Sequence, residues 1–518
     1  MYDLSVASWA ERRARRTPHR TALVHRDSAT CYSALYDRAR RLARVLGDRG
    51  VGRGDRVAFL GPNQPAFFTA FFATGLLGAV FVPLNTRLAP PETAFVLADC
   101  GARLLLHTGP APELPAPSPP PMLRLDTSGT VDPPDLAEPP APSPAPAAAG
   151  PVSPETPCVV LYTSGTSGRP KGAVLTHANL TWNAVNVLVD TDLTAGEVAL
   201  VAAPLFHAGA LGMLALPVLL KGGTCVLMDA FDPGEAIRVI ERHRVTAMFG
   251  VPTMYRRLAD HPAWPRADLS SLRTPVCGGA PVPADLAAAY ARRGLPLRWG
   301  YGLTEAGPGV LLAEAARADG AGADGPGADP AAALGGVPHM FTDVRVVRPD
   351  LTDAPPGETG ELLARGPNVM AGYWRREPES AAAFASGWLR TGDAARAAPD
   401  GTVRVVDRVK EVIISGGENV YPAEVELALL RHPDVADCAV IGVPDPEWGE
   451  VGRAVLVAAA GSRLDPARVL ASLSGRIAAY KIPRSAVVAP ALPRNGAGKL
   501  DRRAVEAGYG AAAPDAQG

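Results

Sequence analysis

The segment Tyr162 to Gly172, YTSGTSGRPKG, sets three glycines, two threonines, two serines and one lysine between two apolar runs. Glycines let a backbone approach an anion closely, hydroxyls donate to phosphate oxygens, and a lysine supplies a point charge. The chemistry implied is the cradling of a nucleotide phosphate. The spacing is not that of the GxxxxGK[ST] loop: Gly165 is followed five positions on by Pro170, and Lys171 by Gly172 rather than Ser or Thr. A phosphate loop of another kind is needed, placed after the strand-like CVVLY and before an expected helix. Alone, such a loop would equally suit a plain flexible turn.

The elements that must position it alternate. From Thr21 onward come ALVHR, SALYDRARRLARVLGDRG, RVAFLG, PAFFTAFFATGLLG and VFVPL; in the second, Leu35, Ala39, Leu42 and Leu46 mark one buried helix face. Strands separated by helices predict an α/β fold of mostly parallel sheets sandwiched by helices. The pattern pauses from Pro110 to Pro157, where Pro, Ala and Ser dominate and a linker is expected, then resumes through VTAMFGVP and PLRWGYGLTE. Ala313 to Ala333, rich in Ala, Gly and Asp, reads as a second solvent loop. Beyond it short strands crowd together (DVRVV, GELLARG, TVRVVD). EVIISG, the helix PAEVELALLRHP, the strands CAVIGVP and GRAVLVAAA, and a helix ARVLASLSGRIAAYK then suggest a separate α+β domain. The expected division is a large domain over residues 1–408, carrying the linker 110–157, and a small one over 409–518.

Composition bounds the function. A chain of 518 residues exceeds the size of one core. A net charge of -1 gives no footprint for nucleic acid, so no nucleic-acid partner is expected. Six singly scattered cysteines without a CxxC pair read as small core residues of a reducing compartment. The amino-terminal MYDLSVASWAERRARRTPHR lacks the apolar stretch of a secretory signal, and a cytoplasmic location is expected. Two uncharged runs, Ala66 to Leu84 and Val198 to Leu220, are divided by glycines and prolines and predict buried helix plus strand, with no membrane span.

The loop has company. PLFHAGAL (Pro204 to Leu211), YGLTE (Tyr301 to Glu305), GWLRTGD (Gly387 to Asp393), DRVKEVIISGGENVYPAEVE (Asp407 to Glu426) and PRNGAGKLDRR (Pro493 to Arg503) follow it in this order. Together these six motifs resemble the adenylate-forming superfamily of acyl-CoA synthetases, luciferases and peptide-synthetase adenylation domains. VPLNTRL, CGGAP and SGGENVYP are most similar to bacterial fatty-acyl-CoA ligases. The resemblance implies a barrel-like subdomain at the end of the large domain and a mobile carboxy-terminal domain. It also implies ATP, Mg2+ and coenzyme A as reaction partners of a carboxylic acid, which becomes acyl-AMP with release of pyrophosphate and then acyl-CoA. Both steps pass through crowded negative charge, which cations and hydrogen-bond donors relieve.

Carried over residue by residue, the resemblance implies that Thr163, Ser164, Thr166 and Lys171 hold the β- and γ-phosphates, with Gly165 and Gly168 giving the backbone room. Tyr301 would stack on adenine beside Gly302, with Gly279 and Ala280 of CGGAP also at the nucleotide. Thr304 would bond the α-phosphate, Glu305 would bind magnesium, and Asp393 and Arg408 would take the ribose. His207 corresponds to a histidine beside the acyl carboxylate, and Lys499 to the lysine bridging that carboxylate and the α-phosphate. Lys410 falls at the family's hinge, and Gly416 and Gly417 would leave space for pantetheine after rotation. Small apolar residues in FHAGALGM, FGVPTMY and CGGAPV, with no Asp in FGVPTMY for an α-amino group, lead to the expectation of a medium or long aliphatic acid, with an aromatic or polycyclic acid as runner-up. Delivery of acyl-AMP to an acyl carrier protein, a non-catalytic acyl-binding scaffold and a luciferase-like oxidation are the alternatives.

Overall fold

A computed structural model describes residues 3–88, 90–115, 119–131, 151–163, 170–280, 282–313, 335–408, 413–415, 418–420, 422–445, 448–474, 476–477, 479–495 and 498–510. The chain forms two units, one of residues 1–344 and 363–390, the other of 345–362 and 391–518.

The larger unit is built on two sheets. In the nine-stranded sheet, the strands Thr21–His25, Thr224–Leu227, Val198–Val201, Ala247–Gly250, Thr274–Gly278 and Arg298–Gly302 run parallel to their neighbours. Antiparallel pairs occur only towards its two edges. The seven-stranded sheet has parallel Val80–Pro83, Arg56–Leu60, Leu104–Thr108 and Met122–Leu125 continued by Pro157–Thr163, and closes with antiparallel Lys171–Thr176 and Gly372–Tyr373. Strands buried on both faces read as continuous apolar runs.

The two uncharged runs resolve as expected. The helix Pro65–Leu76 is buried on all sides and is followed by the strand Val80–Pro83. Phe67 and Phe71 of this helix meet Phe81 edge to face at 5.2 and 5.5 Å, pairs worth about 0.5–1.5 kcal/mol each beyond their burial. In the second run the strand Val198–Val201 leads into a helix whose middle, Leu211–Ala215, widens to π geometry. No helix among the described residues is long and apolar enough to cross a membrane. Five of the six cysteines are buried and Cys31 is half-buried.

Three expectations are corrected. The glycine loop is followed by the strand Lys171–Thr176, and the helix starts only at His177. The Pro/Ala-rich stretch is not wholly without structure: Met122–Leu125 adds a parallel strand beside Leu104–Thr108, with Leu123 and Leu125 buried. Among the described residues, the long helix expected over Ala467 to Lys481 is helical at Pro466–Ala471, with a 3-10 turn at Ala479–Lys481. Ser472, Ser474 and Gly475 are poor residues for continuing it. The loop expected over Ala313 to Ala333 lies, beyond Ala313 itself, outside the described residues.

The division between units also falls earlier than Arg408, because residues 391–408 are bound to 345–362. Thr391 Oγ1 donates to the Leu362 carbonyl at 2.6 Å, Arg396 Nε to Thr359 Oγ1 at 2.6 Å, and Gly357 N–H to the Ala397 carbonyl at 2.9 Å. Further on, the strands Val435–Asp445 and Gly449–Ala458 form a long antiparallel pair, with Ser485–Val488 parallel to the second. One core forms around Val425, Leu429, Val440 and Leu456, another around Ile441, Val455 and Val505.

His177 ties the amino-terminal segment to the larger unit by accepting the Val6 N–H on Nδ1 at 3.1 Å. Burial pushes its imidazole down from 6.5 to about 4, against a small opposing effect of Asp3. A ring kept neutral in the folded chain is protonated first in the unfolded one. Stability should therefore be whole above pH 6.5 and decline as pH falls towards 4, by about 3 kcal/mol in full. Thermal melting across this window should show the decline. His177→Asn, which can still accept the Val6 N–H, should flatten it; an unchanged slope would remove His177 as its cause.

Candidate nucleotide and acid site

The strands Pro157–Thr163 and Lys171–Thr176 pair antiparallel with Thr163 opposite Lys171. The described ends of the motif are thus two paired antiparallel strands, with the helix His177–Thr191 starting only after the second of them. Ser164, Gly165, Thr166 and Gly168 lie outside the described residues. Gly172 is required where it is: a Cβ there would lie 2.5 Å from Val160 Cγ1 and 3.2 Å from the Tyr162 ring. The pair continues into the short strand Gly372–Tyr373, which pairs with Ala173 and Val174.

That pairing brings in a residue the motifs did not flag. Lys171 Nζ stands 5.4 Å from the centre of the Tyr373 ring, a cation–π contact worth about 0.5–1 kcal/mol. The Tyr373 hydroxyl donates to Glu305 Oε1 at 2.9 Å. Burial and then the Glu305 carboxylate raise the Tyr373 phenol above its ordinary value, which keeps it a neutral donor. A lysine from the glycine-loop motif and a glutamate from YGLTE, 134 positions apart by numbering (305 minus 171), are linked through one phenol.

Thr304 and Glu305 occupy a 3-10 turn, Thr304–Ala306, that begins just beyond the strand Arg298–Gly302. The turn is latched by two buried asparagines. Asn368 Nδ2 donates to the Ala306 and Gly309 carbonyls at 2.7 and 2.9 Å, and Asn183 Oδ1 accepts the Gly309 N–H at 3.0 Å. The Met370 N–H donates to the Glu305 carbonyl at 2.8 Å. The only sequence signal for these partners is an asparagine in an apolar context, TWNAVN and GPNVM, which by itself reads as a turn or surface residue. Gly302 packs against the Pro308 carbonyl, where a Cβ would come within 1.8 Å.

Gly278 and Gly300 are partners on adjacent parallel strands, so Gly279 and Ala280 leave the carboxyl end of one strand beside Tyr301 and Gly302 at the end of the next. Open α/β sheets bind ligands at these ends. Gly279 has φ +83°, a conformation that favours glycine. Tyr301 is half-buried. His207 is exposed, directly precedes the short helix Ala208–Ala210 without a side-chain capping bond, and its ring lies 4.7 Å from the Phe206 ring. The stretches expected to line the acid meet at Phe249. A Cβ at Gly209 would lie 2.7 Å from its ring, and one at Gly278 would lie 3.4 Å from it and 2.8 Å from the Gly300 carbonyl.

In the smaller unit, Asp393 and Arg408 are direct cross-strand partners of Trp388–Ala397 and Val403–Arg408. The Asp393 N–H is held by Thr391 Oγ1 at 3.1 Å. Lys499 is exposed on a tight turn in which its N–H donates to Asn495 Oδ1 at 3.1 Å, its carbonyl accepts from Asn495, and Gly498 has φ +77°. The expected hinge Lys410 and the pair Gly416 and Gly417 lie outside the described residues.

Against known proteins, residues 10–374 match the AMP-binding enzyme family, and residues 424–499 match the AMP-binding enzyme C-terminal domain. The chain is 52% identical over 517 residues to a feruloyl-CoA synthase of Amycolatopsis, covering 98% of this chain and 100% of that protein. It is 39% identical over 510 residues to an indoleacetate–CoA ligase of Aromatoleum aromaticum, covering 96% of each. Among solved structures, the Bacillus subtilis O-succinylbenzoate coenzyme A synthetase in complex with ATP and a magnesium ion superposes with a TM-score of 0.81 at 31% identity, covering 96% of this chain and 98% of that one.

Proposed function

Because the chain belongs to the AMP-binding enzyme family, we propose that it activates an aromatic carboxylic acid to acyl-AMP and transfers the acyl group to coenzyme A. It is an AMP-forming acid–CoA ligase, with ATP and coenzyme A as substrates. The expected preference for a medium or long aliphatic acid is not supported, since the relatives above carry feruloyl and indoleacetate in their names. The runner-up, an aromatic acid, takes its place. What supports it is the aromatic acids of those names, together with the small residues of the stretches expected to line the acid, where Gly209 and Gly278 pack directly on the Phe249 ring.

In this reading Thr163 and Lys171 on their paired strands, with Ser164, Gly165 and Thr166 between them in the sequence, hold the β- and γ-phosphates. Thr304 donates to the α-phosphate. Tyr301 stacks on adenine, with Gly302, Gly279 and Ala280 allowing close approach, and Asp393 and Arg408 hold the ribose. His207 faces the carboxylate. Lys499 neutralises charge between the carboxylate and the α-phosphate, and Lys410 serves as the hinge for a rotation that brings Gly416 and Gly417 to the pantetheine arm. The donor set fits magnesium. Among the described residues no group of three His, Cys, Asp or Glu stands together, and magnesium is commonly held by one or two carboxylates plus substrate phosphates. Glu305, held at Oε1 by the Tyr373 hydroxyl, would be the carboxylate that binds the ion. When bound, the ion would offset phosphate charge.

The test is a panel of acids scored by pyrophosphate release and by mass spectrometry of the thioester. Hydroxycinnamic and indole acids should exceed C8–C16 fatty acids in kcat/KM by about 10²-fold or more. A fatty-acid preference would reverse the reading. Acyl-AMP that stays unconverted by coenzyme A would instead point to a carrier protein as acceptor.

A further inference from the structure

Beside the turn that carries Glu305 lies a histidine that the reaction as described does not use. His339 directly follows the edge strand Val337–Pro338 and is 2% exposed. Its N–H donates to the Val310 carbonyl at 3.0 Å. Its Nδ1 is hydrogen-bonded to Asp190 Oδ2, which also accepts the Met340 N–H at 3.2 Å. A carboxylate is an acceptor only, so a proton sits on Nδ1 towards Asp190, and in the Nδ1–H tautomer this selects, Nε2 is the ring's acceptor atom. Among the described residues Nε2 has no hydrogen-bond partner. A buried acceptor without a donor is uncommon in native folds and calls for a role.

Its direction supplies one. A Cβ built at Gly309 would lie 2.8 Å from His339 Nε2, 2.9 Å from Cδ2 and 3.2 Å from Met213 Sδ. Met213 belongs to FHAGALGM, the stretch that also provides His207 and Gly209. In the same stretch, a Cβ at Gly212 would lie 2.5 Å from Pro308 Cδ and 3.0 Å from the Gly307 carbonyl. Nε2 thus faces the place that a side chain at position 309 would occupy, and Met213 Sδ borders the same place.

We propose that His339 Nε2 accepts a hydrogen bond from a hydroxyl on the far end of the aromatic acid, with Asp190 as the positioning residue that fixes the tautomer. The inference rests on the aromatic-acid reading and narrows it to ring-hydroxylated acids. A site built to bond a substrate hydroxyl discriminates against the analogue that lacks it, because the buried acceptor is then left unpaired.

The experiment compares kcat/KM for 4-hydroxycinnamate and cinnamate by pyrophosphate release in the full chain. The wild-type ratio should be about 10–100. His339→Leu should bring the ratio close to one, and His339→Gln, which keeps an acceptor oxygen, should restore part of it. Should His339→Leu not fold, as judged by its melting curve, Gly309→Ala decides: a Cβ there would lie 2.8 Å from Nε2, so the methyl must displace the imidazole from its place and should lower the ratio. A wild-type ratio near one, or a ratio untouched by both substitutions, overturns the inference while leaving aromatic-acid activation standing. Failure of the wild type to activate either acid while activating fatty acids overturns the proposed function itself.

Discussion

Lys499→Ala should lower acid-dependent pyrophosphate release by about 10²–10³-fold, the loss typical of removing one preorganised group that meets developing charge. The expectation is physical. When the carboxylate oxygen attacks the α-phosphorus, two anions must approach each other, and an ammonium between them is worth more in that geometry than in either separated reactant. Thioester formation from a supplied acyl-adenylate should be affected far less, since the attacking thiol no longer faces a triphosphate. The substitution should leave the turn intact, because its backbone is held by Asn495 Oδ1, the Asn495 N–H and the positive φ of Gly498. Measuring both half-reactions separates the two effects. Equal rates of pyrophosphate release in variant and wild type would remove Lys499 from the mechanism.

Glu305→Gln should cost about 10²-fold in kcat for adenylation and raise the magnesium concentration needed for half-maximal rate by about tenfold. The amide has nearly the carboxylate's shape and can still accept from the Tyr373 hydroxyl, which is 2.9 Å from Oε1. The Lys171 to Tyr373 contact also survives, so the change isolates charge from position. Titrating magnesium at saturating ATP reads it directly. If the magnesium dependence does not move, Glu305 is a structural partner of Tyr373 and the metal is held elsewhere.

The residues proposed for the chemistry could be singled out in the sequence because they occur as contiguous motifs whose types the proposed reaction demands. Lys171 follows a run of Gly, Ser and Thr, and Thr304 and Glu305 follow Tyr301 and Gly302. What surrounds them was not legible. The helix expected after the glycine loop failed because Lys171–Thr176, KGAVLT, has no helical period to contradict a strand and its apolar centre is buried between Pro157–Thr163 and Gly372–Tyr373. Short apolar runs are ambiguous until a partner strand is known. Tyr373, Asn183 and Asn368 escaped notice for the same reason: each acts through a partner 60 or more positions away, Glu305, Gly309 and Ala306 respectively.

The sequence by itself determined the division into alternating strands and helices, the cysteines as small core residues, and the family, since these rest on local period, composition and ordered motifs. Only the tertiary structure decided that Thr163 faces Lys171 across a strand pair, that Asp393 and Arg408 stand opposite each other on neighbouring strands, and that a single phenol joins Lys171 to Glu305. It also decided that His339 turns Nε2 towards Gly309. The physical reason is common to all four. Motif spacing records which residues a reaction requires, whereas strand register and burial, set by long-range packing, fix which of them can touch.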